Sequence, residues 1–154
     1  MGQEIEHKFL VDKARWRPSG PGVLIRQGYL STDKERVVRI RSAGPDAYIT
    51  IKGPGHISRA EFEYAIPLDD ANVMLDQLCL PSIIDKTRYE ENVGGHKWQI
   101  DVFQGDNDGL VMAEIELRRE GKAFEKPDWA LQEVSEDPRY FNASLSKAPF
   151  KTWD

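Results

Sequence analysis

Charged and apolar residues alternate along most of this chain with a period of two. Near the start, Glu4, Glu6 and Lys8 occupy alternate positions while Ile5, Phe9 and Val11 hold the opposite parity. In a strand successive side chains point to opposite faces, so the charges line one surface and the apolar residues the other. Taken alone, the segment also fits an amphipathic helix with Glu4 and Lys8 as an i,i+4 pair. The return of the pattern downstream decides for strands. Alternation punctuated by turn residues predicts eight of them, at about 3–11, 23–30, 36–42, 46–52, 58–66, 83–91, 97–103 and 110–118. The breaks carry turn chemistry, as in Pro18-Ser19-Gly20-Pro21-Gly22, Gly53-Pro54-Gly55 and Gly105-Asp106-Asn107-Asp108-Gly109. Such short connections favour antiparallel neighbours. One helix is predicted from about 70 to 79, with Asp69 or Asp70 as its cap, Pro81 beyond its end, and Val73, Met74, Leu75 and Leu78 as its apolar face. A second is predicted at about 138–146, capped by Asp137, with Tyr140, Phe141 and Leu145 on one side.

Composition narrows the class. The 154 residues suit a single domain spanning 1–154, large enough to bury a core without disulfides. Charged residues make up 31% of the chain, more than a surface alone would use, so part of the charge is expected inside. The lone Cys79 excludes an internal disulfide, and its leucine neighbours favour a packed thiol over a nucleophile. There is no charged-then-apolar leader and no long apolar run, so the expectation is a cytoplasmic protein without a membrane span. A net charge of −5 argues against general nucleic-acid binding, leaving only a concealed basic channel. A homodimer is compatible with this composition, which does not fix the oligomeric state.

Sorting the strands by parity gathers the charge. One face carries Glu4, Glu6 and Lys8, Arg39 and Arg41, Lys52, then Arg59, Glu61 and Glu63. The later strands add Lys86 and Arg88, Asp101, and Glu114 and Glu116, giving seven acids and seven bases. An open sheet would turn this face to solvent. Eight strands can instead close into a small barrel, which would make a polar, wet tunnel and turn the apolar face outward toward the helices. Interior charges are tolerable only if they pair, hydrate or bind ions. Such a lining suits a linear phosphate chain carrying a divalent metal. Arg39, Arg41 and Arg88 can fork onto phosphoryl oxygens, Lys52 and Lys86 can neutralise as point charges, and carboxylates of the first and last strands can hold the cation.

The ordered pieces Glu4-x-Glu6-x-Lys8, Val38-Arg39-Ile40-Arg41, Thr50-Ile51-Lys52-Gly53, Arg59-x-Glu61-x-Glu63, Lys86-x-Arg88, Trp98-x-Ile100-Asp101-x-Phe103 and Ala113-Glu114-Ile115-Glu116-Leu117 carry a resemblance. Together with Arg139-Tyr140-x-Asn142 near the end, they make the chain similar to the CYTH superfamily, the triphosphate tunnel metalloenzymes, in its short bacterial inorganic triphosphatase-like branch. His7 stands where similar bacterial sequences often have Arg, on the outward parity. The resemblance implies an α+β, mainly β fold: a closed eight-stranded antiparallel barrel with helices outside and near one mouth. It also implies a triphosphate bound with Mg2+ or Mn2+, and hydrolysis of inorganic tripolyphosphate or another triphosphate compound.

On that basis Glu4, Glu6, Glu114 and Glu116 are the expected metal ligands, and Lys8, Arg39, Arg41, Lys52, Arg59, Lys86 and Arg88 the expected substrate contacts. Asp101, Glu61 and Glu63 would complete an outer metal shell, orient the nucleophile or hold the bases. Lys8 would either help deprotonate the attacking water, which needs a lowered pKa, or contact phosphate. The segment 138–146 would be a helix that either closes one tunnel mouth as a lid or only covers outer apolar residues. Related tunnels also serve adenylate cyclase and organic triphosphatase reactions, on nucleoside or thiamine triphosphates, and a non-catalytic triphosphate or polyphosphate sensor would use the same lining. No dedicated constellation for adenine or a ribose hydroxyl is evident. His7, His56 and His96 lack metal-ligand spacing, Trp98 lies on the packing parity, and Arg26 lies opposite the site. Glu90 and Arg118 are read either as an extension of the lining at a mouth or as solvated strand ends.

Overall fold

Each predicted strand forms. The computed structural model describes residues 3–119 and 121–153, and of Gln3 and Glu4 the backbone alone. The strands are β1 (Gln3–Val11), β2 (Val23–Ser31), β3 (Val37–Ala43), β4 (Asp46–Lys52), β5 (Ser58–Ala65), β6 (Ile84–Val93), β7 (His96–Gln104) and β8 (Val111–Glu116). They pair antiparallel in the order β5-β4-β3-β2-β6-β7-β8-β1, and β1 returns to β5, so the eight close into a barrel. The closing seam is short, joining Gln3–Ile5 to Ser58–Ala60 with Glu4 opposite Arg59. The rest of that edge of β1 is taken by β9 (Ala130–Glu133), with Phe9 opposite Glu133 and Val11 opposite Ala130. The Ala-Leu-Gln-Glu stretch has no β-branched or aromatic residue, so sequence pattern missed it. Pairing to an otherwise open edge makes it a strand.

The helices differ in detail from expectation. α1 (Leu68–Gln77) is preceded by an extended Pro67 with no side-chain cap, and Asp69 and Asp70 lie inside its first turn, where they favour the positive end of the helix dipole. It buries Ala71 and Leu75 against Ile40 and Ala47, with Met74 and Cys79 at the margin, while Val73 and Leu78 stay exposed. Gly28 permits that margin, because a Cβ there would lie 2.6 Å from Ile83 Cδ1 and 3.0 Å from the Cys79 Cβ. The C-terminal helix is split. A single 3-10 turn at Pro138–Tyr140, with the Asp137 carboxylate accepting from the Arg139 N–H, gives way to an extended Phe141 and then to α2 (Asn142–Lys147).

Helices cover little of the barrel's outer apolar face. Phe9, Trp98, Ile100, Ala113 and Ile115 are instead roofed by irregular chain that brings Trp16, Phe124 and Trp129 onto them. Trp98 is fully buried among Phe9, Phe124 and Trp129, as packing parity predicts. Ile51, Phe62 and Tyr64 remain exposed on β4 and β5.

Candidate functional site

Inward parity on the closed sheet determines which side chains meet. Going round the ring of eight, β3 stands four strands from β8, directly across the barrel. The Arg39 and Arg41 wall therefore faces the Glu114 and Glu116 wall. Beside β8, β1 sets Glu6 opposite Glu116 and Lys8 opposite Glu114. Between the two walls, β4 and β5 set Lys52 opposite Glu61 and Thr50 opposite Glu63.

These side chains surround a cavity of about 840 Å³. Glu6, Lys8, Glu114 and Glu116 line it from β1 and β8, and Arg39, Arg41 and Arg88 from β3 and β6. Lys52, Arg59, Glu61 and Glu63 complete the wall, so eleven of the fourteen residues expected from sequence are on it. The side chain of Glu4 lies outside the described residues. Lys86 and Asp101 do not reach the cavity wall; they are fully buried below it, joined at 2.7 Å. Glu90 pairs with exposed Lys97, Arg118 is exposed, and Arg26 ties β2 to Asp76 of α1, so all three lie away from the cavity. His7 lies outside the barrel against Glu133, at 2.6 Å.

The charges are held by paired contacts. Asp101 receives Arg88 through two bonds, Nε at 2.7 Å and Nη2 at 2.8 Å, while Lys86 takes one of the same oxygens. Burial pushes the Asp101 carboxyl up, but the Arg88 and Lys86 charges and their hydrogen bonds outweigh it and hold the group well below the usual carboxylate range. Burial lowers the Lys86 ammonium against the pull of Asp101, with Arg88 and Arg41 adding repulsion. Arg41 falls to about 9, through burial first and then Arg39 and Arg88, so it keeps its charge at neutral pH. Its Nε donates to Gln27 Oε1 at 2.8 Å. On β4, Thr50 donates to Glu63 at 2.8 Å and accepts from Arg39 at 3.1 Å.

The acidic wall differs. Burial and the neighbouring Glu6 carboxylate push the Glu114 carboxyl up. Lys8 Nζ lies 2.5 Å from Glu6, and Arg88 lies 3.8 Å from Glu114. Glu6, Glu114 and Glu116 are hard oxygen donors that repel one another on adjoining strands, which fits a hard divalent cation in kind. Among the described residues no three acidic, His or Cys side chains are already gathered as a ligand cluster.

Sequence reasoning did not assign site roles to Tyr29, Gln27, Thr50, Gln99, Phe141 or Asn142. Parity would have found Thr50, which sits two residues from Lys52, and Gln99, two from Asp101. The Phe141 and Asn142 contributions depend on the break in the C-terminal helix and left no such signal. Their segment bounds the cavity from one end: Leu145 of α2 packs with Tyr29, Ile84, Phe103 and Met112, all inward-facing, while Phe141 and Asn142 line the space above.

A family model for the CYTH domain matches residues 2–149. An inorganic triphosphatase of Acetivibrio thermocellus is 47% identical over 154 residues, spanning 99% of each chain. Another inorganic triphosphatase, from Nitrosomonas europaea, is 36% identical over 149 residues, covering 93% of this chain and 96% of its own. A crystal structure of an inorganic triphosphatase superposes with a TM-score of 0.65 at 32% identity, over 93% of both chains.

Proposed function

The chain belongs to the CYTH domain family, and on that premise we propose that it is an inorganic triphosphatase, hydrolysing a phosphoanhydride bond of tripolyphosphate held inside the barrel. The observation that carries this is the cavity itself, with a basic wall on β3 facing an acidic wall on β8 and β1. A linear polyanion needs the first, and the cation that accompanies it needs the second. In this reading Arg39, Arg41 and Arg88 fork onto phosphoryl oxygens, and Lys52 and Arg59 neutralise the chain from the side. Glu6, Glu114 and Glu116, with Glu4, would hold Mg2+ or Mn2+, which supplies charge neutralisation and a more acidic water. Water attacks the terminal phosphorus, the bond to the bridging oxygen breaks, pyrophosphate leaves, and the proton of the water passes to a base or solvent. In this reading Lys8, hydrogen-bonded to Glu6 at 2.5 Å, contacts phosphate rather than acting as a general base. Glu61 and Glu63 hold Lys52 and Arg39 in position, at 3.6 and 3.4 Å. Asp101 acts from below by orienting Arg88, and Lys86 shares that buried carboxylate.

The C-terminal segment, in the same reading, acts as the lid: it limits the cavity to a compact chain. The protein should therefore favour tripolyphosphate over long-chain polyphosphate.

The test is product identity. Purified protein with magnesium and tripolyphosphate, ATP or thiamine triphosphate is followed for orthophosphate, pyrophosphate and cyclic nucleotide. Equal release of orthophosphate and pyrophosphate from tripolyphosphate, well ahead of the organic substrates, is expected. Cyclic nucleotide from ATP would replace the proposal with a cyclase, and binding without product with a sensor.

A further inference from the structure

One amide on the cavity wall has its hydrogen-bond direction dictated by its neighbours. Asn142, the first residue of α2, sets Oδ1 3.1 Å from Lys86 Nζ and 3.0 Å from Gln27 Nε2. Gln27 in turn presents Oε1 to Arg41 Nε at 2.8 Å. A guanidinium donates and cannot accept, so Arg41 requires the oxygen of Gln27 to face it, and the Gln27 amino group must face Asn142. That amino group then requires the oxygen of Asn142, a requirement that the Lys86 ammonium repeats from the other side. Turning either amide over would set donor against donor where no water reaches, since Gln27 and Lys86 are fully buried. The Asn142 amino group is thereby directed away from Lys86 and Gln27, on a half-buried side chain that lines the cavity. Among the described residues no acceptor takes it.

We propose that Asn142 is a substrate-binding residue whose Nδ2 donates to a phosphoryl oxygen of the bound chain; this rests on the triphosphate reading of the cavity. A neutral donor suits that place. Arg39, Arg41 and Arg88 already repel one another, and a further cation would add to the repulsion that lowers Arg41. An amide adds a directed hydrogen bond without charge. It also gives the C-terminal segment a direct part in recognition, beyond closing one end of the barrel.

The experiment measures, by calorimetry with magnesium, the affinity for a hydrolysis-resistant imido analogue of tripolyphosphate, alongside melting temperature. The proteins compared are the unmutated chain, Asn142→Asp, Asn142→Ala and Ser144→Asp. Asn142→Asp keeps an acceptor facing Lys86 and Gln27, removes the donor and adds a negative charge. Ser144→Asp places the same charge on the same wall of the cavity and so reports repulsion alone. The expected result is an affinity loss of about tenfold for Asn142→Ala, and for Asn142→Asp a loss about tenfold beyond that of Ser144→Asp at an undiminished melting temperature. Overturning it requires Asn142→Asp to lose no more than Ser144→Asp, or a folded Asn142→Ala to bind as the unmutated protein does. If Asn142→Ala does not fold, the comparison of the two aspartate variants decides. Failure of the unmutated protein to bind the analogue would overturn the triphosphate reading and this inference together, whereas normal binding with insensitive Asn142 variants overturns this inference alone.

Discussion

The inward face of the barrel has two halves that share the same strands and differ completely in chemistry. On β1 it runs Glu6, Lys8, Leu10; on β8 Glu116, Glu114, Met112; on β7 Gln99, Asp101, Phe103; on β6 Arg88, Lys86, Ile84. Each of these four strands goes from polar to apolar within three inward positions. The first half encloses the cavity, and the second is filled by Leu145 and its apolar neighbours. Lys86 and Asp101 stand at the boundary, too deep for the cavity and too polar for the plug; Arg88 and Lys86 pair with the Asp101 carboxylate, and Lys86 also donates to Asn142. An apolar floor under a charged cavity excludes water from one side, which strengthens the electrostatic contacts above it. The two halves should respond differently to substitution: the boundary and plug through stability, the wall through ligand affinity.

The boundary should give the largest effect. Asp101→Ala leaves Lys86 and Arg88 buried without their carboxylate and is expected to cost about 3–5 kcal/mol in denaturant unfolding. Replacing Lys86 by Met in the same chain should recover part of that loss; no recovery would mean that Lys86 does not depend on Asp101. In the plug, Leu145→Ala empties a fully buried site and should cost about 2–5 kcal/mol. A loss well below that range would show that α2 is only loosely seated.

On the wall, Arg39→Ala removes a charge-assisted contact while relieving repulsion on Arg41, so tripolyphosphate affinity should fall by about 1.5–3 kcal/mol, roughly 10- to 100-fold, with stability little changed. An unchanged affinity would take Arg39 out of the site.

A smaller effect separates the halves by pH. The folded Asp101 carboxyl titrates below its ordinary value of 3.8, so its contribution is complete above that value and is lost as pH falls toward the depressed folded value. Denaturant midpoints should therefore fall progressively as pH drops below about 4, and Asp101→Asn should flatten that drop. An identical slope in the variant would assign the acid loss to other carboxylates.

These halves were unequally legible in sequence. Parity alone selected the fourteen charges, because a strand's alternation survives any register, and it left Trp98, Arg26 and His7 outside correctly. Depth along the barrel was not legible. It depends on strand stagger, so Lys86 looked like Arg88 although one is fully buried and the other reaches the cavity. The apolar plug was hidden for the same reason, since Leu10, Phe103 and Met112 carry no sign of lying beneath charged neighbours. β9 was missed because its pairing partner, not its own composition, makes it a strand. Asn142 stood in sequence only as part of the Arg139-Tyr140-x-Asn142 piece; its place on the cavity wall depends on the extended Phe141, which splits the predicted helix and sets the amide over Lys86 and Gln27.

The division of labour between the two facing walls is tested most directly by a crystal structure with manganese and the imido analogue of tripolyphosphate, using anomalous scattering to locate the metal. The account predicts manganese against the β1 and β8 carboxylates, among Glu6, Glu114 and Glu116, with the phosphate chain reaching across to Arg39 and Arg41 on β3. Phosphate lying away from the β3 arginines, or no manganese at the carboxylates in a cavity that holds the analogue, would contradict it.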